Sequence, residues 1–129
     1  MRRPVVVFTA YRSYGGYEFL LTAHAPVIGA SSTDWWFVVD YKNENRPDTN
    51  RNKTMALTSP LTIEKLVELR KWVGEVLNYD FYARELYNDF LLQLQDIKQV
   101  DLATIDDSII EMPLDGPHNA LYNEEEPSN

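Results

Sequence analysis

Asp34-Trp35-Trp36-Phe37-Val38-Val39-Asp40-Tyr41 is the stretch on which the fold turns. Aromatic and β-branched residues fill it, as in strands, and successive side chains of a strand point to opposite faces. Trp35, Phe37, Val39 and Tyr41 therefore share one face, and Trp36, Val38 and Asp40 share the other. Both faces carry large apolar groups. That pattern predicts a central strand, or a strand whose outer face meets a partner. Trp35, Phe37 and Tyr17 read as core, whereas the carboxylate of Asp40 on the face of Trp36 predicts a partly exposed indole that makes a contact.

Upstream, residues 4–11 are β-branched and aromatic, Arg12-Ser13-Tyr14-Gly15-Gly16 supplies turn residues, and residues 17–25 are strand-like again, which reads as a β-hairpin. In its second strand Tyr17, Phe19, Leu21 and Ala23 alternate with Glu18, Leu20, Thr22 and His24, so His24 falls on the wetter face. Downstream, residues 42–53 form a polar, Asn-rich loop carrying Arg46, Arg51 and Lys53, and residues 54–58 return as a short fourth strand.

Two amphipathic segments follow. Ser59-Pro60 can open a helix over residues 60–77, with Thr62 as the alternative cap. Its apolar stripe is Ile63, Leu66, Val67, Val73 and Leu77, widened by Leu69, Trp72 and Val76, and Gly74 leaves room for close packing on the sheet. Asn78-Tyr79-Asp80 breaks the pattern, and Asp80 is placed to cap a second helix over residues 80–98 with the stripe Ala83, Leu86, Tyr87, Phe90, Leu91, Leu94 and Ile97. A connection this short makes the helices neighbours. The expected architecture is α+β: a four-stranded antiparallel sheet followed by a two-helix hairpin packed on one face, in a body of residues 1–99, plus an acidic C-terminal tail over residues 100–129. Within that tail the apolar island 108–114 can add a short edge strand over 108–112 or dock on another protein.

Size and composition suit one domain: 129 residues with 44% hydrophobic content can bury a single core without cross-links. The chain has no cysteine, which excludes disulfides and thiolate metal sites and points to a reducing, cytoplasmic setting. Met1-Arg2-Arg3-Pro4 and the apolar residues after it imitate the start of a signal peptide, but Tyr11-Arg12 interrupts the run too early. No segment approaches the roughly 18 apolar residues of a membrane span, so no membrane association is expected.

The net charge of −8 is unevenly placed. All 12 Lys and Arg lie between Arg2 and Lys98, where acids are equally numerous, and the whole excess comes from Asp101, Asp106, Asp107, Glu111, Asp115, Glu124, Glu125 and Glu126. An acidic tail of this kind attracts basic partners and repels phosphate backbones, which argues against direct nucleic-acid binding.

Chemistry-bearing patterns are few. His24 and His118 are far apart and lack helical spacing, Gly15-Gly16 stands between strands rather than before a helix, and Asp106-Asp107 lie outside the body. No catalytic residue, metal ligand or cofactor site is assigned on these grounds. The expectation is a small acidic protein-binding protein, an inhibitor, adaptor or immunity-type antagonist of the sort phages encode, that occupies a basic partner surface through Trp36, Asp40, Asp106, Asp107, Ile109, Ile110 and Glu111. The alternatives are a structural subunit of a larger assembly and a small enzyme or ligand-binding domain with a cleft between sheet and helices. The basic loop 46–53 suits a phosphate, an acidic partner or the chain's own tail.

Overall fold

A tight turn sets the first pairing. Gly15 and Gly16 both have positive φ, +54° and +91°, the backbone that a two-residue hairpin loop needs to match strand twist. Because the turn uses only these two residues, Arg12-Ser13-Tyr14 belongs to the strand before it, not to the loop. The computed structural model describes residues 6–26, 33–96 and 105–116. It comprises strands β1 (Val7–Tyr14), β2 (Tyr17–His24), β3 (Asp34–Asn43) and β4 (Arg51–Thr58), helices α1 (Ile63–Leu77) and α2 (Asp80–Gln95), and 3-10 turns at Pro47–Thr49 and Asp107–Glu111.

The sheet is antiparallel throughout, in the order β1-β2-β3-β4. The expected architecture of four strands followed by a helical hairpin is the one observed. β4 starts at Arg51, three residues before the expected position, because the polar residues Arg51, Asn52 and Lys53 pair with Tyr41, Asp40 and Val39. Ladder pairing with an already aromatic β3 outweighs their low strand propensity.

Helix α1 begins at Ile63 and is capped by Thr62, whose Oγ1 accepts from the Lys65 amide at 3.2 Å. Ser59-Pro60, the other candidate opening, lies outside the helix and contains a cis peptide. Asn78 ends α1 in the left-handed conformation, with its N–H donating to Gly74 O at 2.8 Å. Asp80 does not cap α2: Tyr79 holds that position, and Asp80 is the first helical residue, paired with Arg70 at 2.7 Å. Gly74 also departs from expectation. It faces the Arg70 guanidinium, which would lie 3.2 Å from an added Cβ, so the glycine makes room for this ion pair rather than for the sheet.

The helices bury Leu66, Leu69, Val73 and Leu77 from α1, and Ala83, Leu86, Tyr87, Phe90, Leu91 and Leu94 from α2, against Phe8, Phe19, Leu21, Trp35, Phe37, Val39 and Tyr41 of the sheet. Ile63 and Val67, assigned above to the buried stripe of α1, are exposed instead. For α2 the expected stripe is buried as far as Leu94, and Ile97 lies outside the described residues. Phe90 presents its edge to three rings, with centroids 5.8 Å from Phe8, 6.3 Å from Trp35 and 5.7 Å from Phe37. Arg12, on the helical side of β1, reaches Asp89 at 3.3 Å and Glu85 at 3.6 Å.

Residues 108–112 do not form a strand. Asp107–Glu111 is a 3-10 turn that closes over the helices, with Ile109 fully buried in the core. Ile105 bridges Leu61 in parallel, and the Asp106 N–H donates to Leu61 O at 2.8 Å. The Gln95 amide donates to the carbonyls of Ile109 (3.0 Å) and Met112 (2.8 Å). Asn88 brackets Asp115, donating to its carbonyl at 3.2 Å and accepting from its N–H at 2.8 Å. Arg70 completes the clasp by bonding both Asp115 and Asp80. Burial opposes its charge, but the two carboxylates outweigh that and raise its pKa. Residues 105–116 are thus a layer of the body, and side-chain bonds to their backbone explain why this island packs without joining the sheet.

Two consequences are measurable by denaturant unfolding. Ile109→Ala should lose about 2–5 kcal/mol of stability, as for other buried truncations, while exposed Glu111→Ala should change it by less than about 0.5 kcal/mol. Tyr87 supplies the second, its phenol being pushed up to about 12 by burial and then by the nearby charge of Asp115. Its folded pKa lies above the unfolded value of about 10, so its contribution is complete below pH 10 and is lost as pH rises from there towards 12. Tyr87→Phe should therefore lose less stability than the parent between pH 9 and pH 11.

Candidate functional site

With α1 and α2 on one face of the sheet, the register defines what lies on the other. Val7, His24, Trp36 and Ala56 form one cross-strand row. Thr9, Thr22, Val38 and Thr54 form the next, followed by Tyr11, Leu20, Asp40 and Asn52. Trp36 and Tyr11 are each 49% exposed, Val7 is exposed, and Leu20, Thr22, His24, Val38 and Asp40 are half-buried by one another. No described element covers these rows.

The apolar centre is rimmed by charge. Glu18, Asp34 and Asp40 occupy this face with Lys42, an acidic excess set by alternation along β2 and β3. Asn52 on β4 donates to Asp40 Oδ1, which fixes that carboxylate across the strands. Tyr11, Glu18, Leu20, Asp40 and Lys42 line a shallow hollow of about 50 Å³, too small for anything but one side chain. Trp36 thus has the partial exposure that its neighbour Asp40 implied.

The remaining sequence-derived candidates sit elsewhere. Asp106 Oδ1 accepts from the Ser108 hydroxyl at 2.7 Å and the Ser108 amide at 2.9 Å, capping the 3-10 turn. These bonds, the hydroxyl first, lower the pKa of its carboxyl. Asp107 and Glu111 are exposed, Ile110 packs part-buried against the core, and Ile109 is wholly internal. Ile109 is therefore a core residue and has no surface to offer a partner. The structure brings Trp36 and Asp40 together on the sheet and holds the other five on the helical layer, so the seven do not form one patch.

A third place lies at the basic loop 46–53, whose cations the sequence singled out without the residues that join them. The 3-10 turn Pro47–Thr49 and the start of β4 face the connection between α1 and α2 across a hollow of about 340 Å³, lined by Tyr17, Tyr41, Asn43, Asn45, Arg46, Thr49, Arg51 and Tyr79. Arg51 lies over the Tyr41 ring, 4.9 Å from its centroid, and its Nη1 donates to Val76 O (3.0 Å) and Leu77 O (3.1 Å) at the end of α1. Tyr79 hydrogen-bonds Tyr41, which, with the charge that Tyr41 would carry when ionised, raises the pKa of the Tyr79 phenol. Clustering of the loop cations was legible. The tyrosines that join them come from three other elements, and only the fold assembles them.

Among the described residues no group of three or more His, Asp or Glu side chains could hold a metal, and no helix is long and apolar enough to cross a membrane. His24 is on the sheet face between Val7 and Trp36, and His118 lies outside the described residues. No protein-family model, curated protein or solved structure matches the chain.

Proposed function

We propose that this chain is a protein-binding domain, acting as an inhibitor or adaptor, that occupies a basic partner surface with the open face of its sheet. The observation that carries this reading is the uncovered aromatic and aliphatic patch of Val7, Tyr11, Leu20, Trp36 and Val38, ringed by Glu18, Asp34 and Asp40. An apolar centre with an exposed indole and a charged rim has the anatomy of a recognition surface, where a few large side chains carry most of the energy. The acidic rim favours a partner that presents Lys or Arg around an apolar knob.

Size bounds the affinity. Four strands of eight or more residues span about 19 Å by 26 Å, roughly 500 Å² in projection. Stable interfaces bury about 800 Å² per partner, so the contact extends past the sheet or belongs to the weaker, transient class. Asp107 and Glu111, exposed on the helical layer, contribute to this reading only through the long-range field that speeds encounter with a cationic surface. A subunit embraced by its neighbours through the C-terminal island is less supported, because that island is spent on the chain's own core.

The test compares the full chain with Trp36→Ser in affinity capture from its source cells at two salt concentrations, followed by titration of the retained protein. A stoichiometric polypeptide held by the parent should bind Trp36→Ser at least about 30-fold more weakly, the loss typical of a central aromatic anchor. Asp40→Asn should slow association, and the difference should shrink as salt rises. A partner held equally well by parent and Trp36→Ser removes the sheet face from the mechanism.

A further inference from the structure

The hollow beside the 3-10 turn Pro47–Thr49 has a property that the sheet face lacks: two guanidinium groups and three phenols line it, and no carboxylate does. Glu44 and Asp48 belong to the same connection, but neither lines it, and Glu44 sits instead against the β1-β2 turn at Gly16. In a body whose charges balance, this is a local concentration of cations.

Its key cation is held in place before any ligand arrives. Arg51 spends one nitrogen on the last carbonyls of α1 and lies over the Tyr41 ring, so little rotamer freedom is left to lose on binding. Among the described residues its Nε and Nη2 have no hydrogen-bond partner and the side chain makes no ion pair. Arg46 is exposed, but its backbone is pinned: its N–H donates to Asn43 O at 3.1 Å, and its carbonyl accepts from the Thr49 amide at 2.9 Å and the Thr49 hydroxyl at 2.7 Å. Neutral donors complete the wall. Asn43 and Asn45 supply amides, and the tyrosines supply flat apolar surface with O–H groups at the edge.

We propose that this hollow binds a phosphomonoester carrying a planar or apolar substituent. A phosphoryl group near neutral pH carries a charge of about −1.5 to −2, which two arginines match, and its oxygens suit the forked donors of guanidinium. The volume, about 340 Å³, is at the lower end of the range for small-ligand sites and accommodates a phosphate with one ring beside it. The site is independent of the sheet-face reading: it lies at the helix connection and shares no residue with the Trp36 patch.

The experiment titrates the full-length, ¹⁵N-labelled chain with phenyl phosphate at constant ionic strength, with phenol and sulfate as controls. Saturable amide shifts confined to residues 43–51 and to the neighbourhoods of Tyr17 and Tyr79, with a dissociation constant of about 1 mM or tighter, are expected for a ligand of this size. Arg46→Gln is the diagnostic variant, since its exposed side chain holds nothing in the fold, whereas Arg51 also caps α1. It should weaken phenyl phosphate at least about fivefold while leaving the spectrum of the free protein otherwise unchanged. A peptide bearing phosphotyrosine distinguishes the source of the group: binding tighter than phenyl phosphate assigns the site to phosphorylated protein, and equal binding assigns it to a small metabolite. Shifts that fail to saturate and spread over every Lys and Arg, phenol binding as well as its phosphate, or an unchanged affinity in Arg46→Gln would each overturn the proposal.

Discussion

The edge of Phe90, set against the rings of Phe8, Trp35 and Phe37, is the contact on which the rest of the structure depends. It locks the middle of α2 onto the helical face of β1 and β3, and close-packed aromatic contacts of this kind leave little freedom in helix rotation. Once α2 is so placed, its other residues have assigned neighbours. Glu85 and Asp89 meet Arg12 on β1, while Asn88 turns towards the C-terminal segment. A buried amide such as Asn88, 1% exposed, must be satisfied, and it donates to and accepts from the backbone of Asp115.

From that arrangement the division of the surface follows. One face of the sheet is consumed by the helices, and the helices are in turn covered by residues 105–116, which bury Ile105 and Ile109 and are clasped by Arg70, Asn88 and Gln95. The face left over is the one bearing Trp36, and it is left over with large apolar groups on it. A protein that needed only solubility there would place polar residues at Trp36, Val38, Leu20 and Tyr11. The helix connection supplies a separate and chemically opposite place, cationic and polar, because Arg51 is recruited to the end of α1, where carbonyls without helical partners attract a positive charge.

Legibility differed by range. The hairpin at Gly15-Gly16, the two faces of β3 and the stripe of α2 rest on periodicity and turn chemistry within a few residues, and they were readable with errors of a few positions at their ends. The failures share a different cause. Asp80 looks like a cap until Arg70, ten residues away, claims its carboxylate, and Gly74 looks like a packing glycine until the same arginine passes over it. The island around Ile109 has strand-like composition, yet Gln95 supplies hydrogen bonds to its carbonyls in a place where no strand edge is offered. For the candidate sites, the exposure of Trp36 beside Asp40 could be inferred from alternation alone. The hollow around Arg51 could not, since Tyr17, Tyr41 and Tyr79 reach it from β2, β3 and the helix connection.

By itself, then, the amino-acid order determined the four strands and two helices, their sequence and the aromatic inner face of β3, because side-chain period and turn preference act between near neighbours. It also determined that acids accumulate after Lys98 while the preceding region stays balanced. Only the tertiary structure decided that residues 105–116 close the core, that no described element covers the Trp36 face, and that two arginines and three tyrosines converge beside the helix connection. These outcomes depend on which distant groups satisfy one another's hydrogen bonds and fill one another's space, and that is settled when the layers pack.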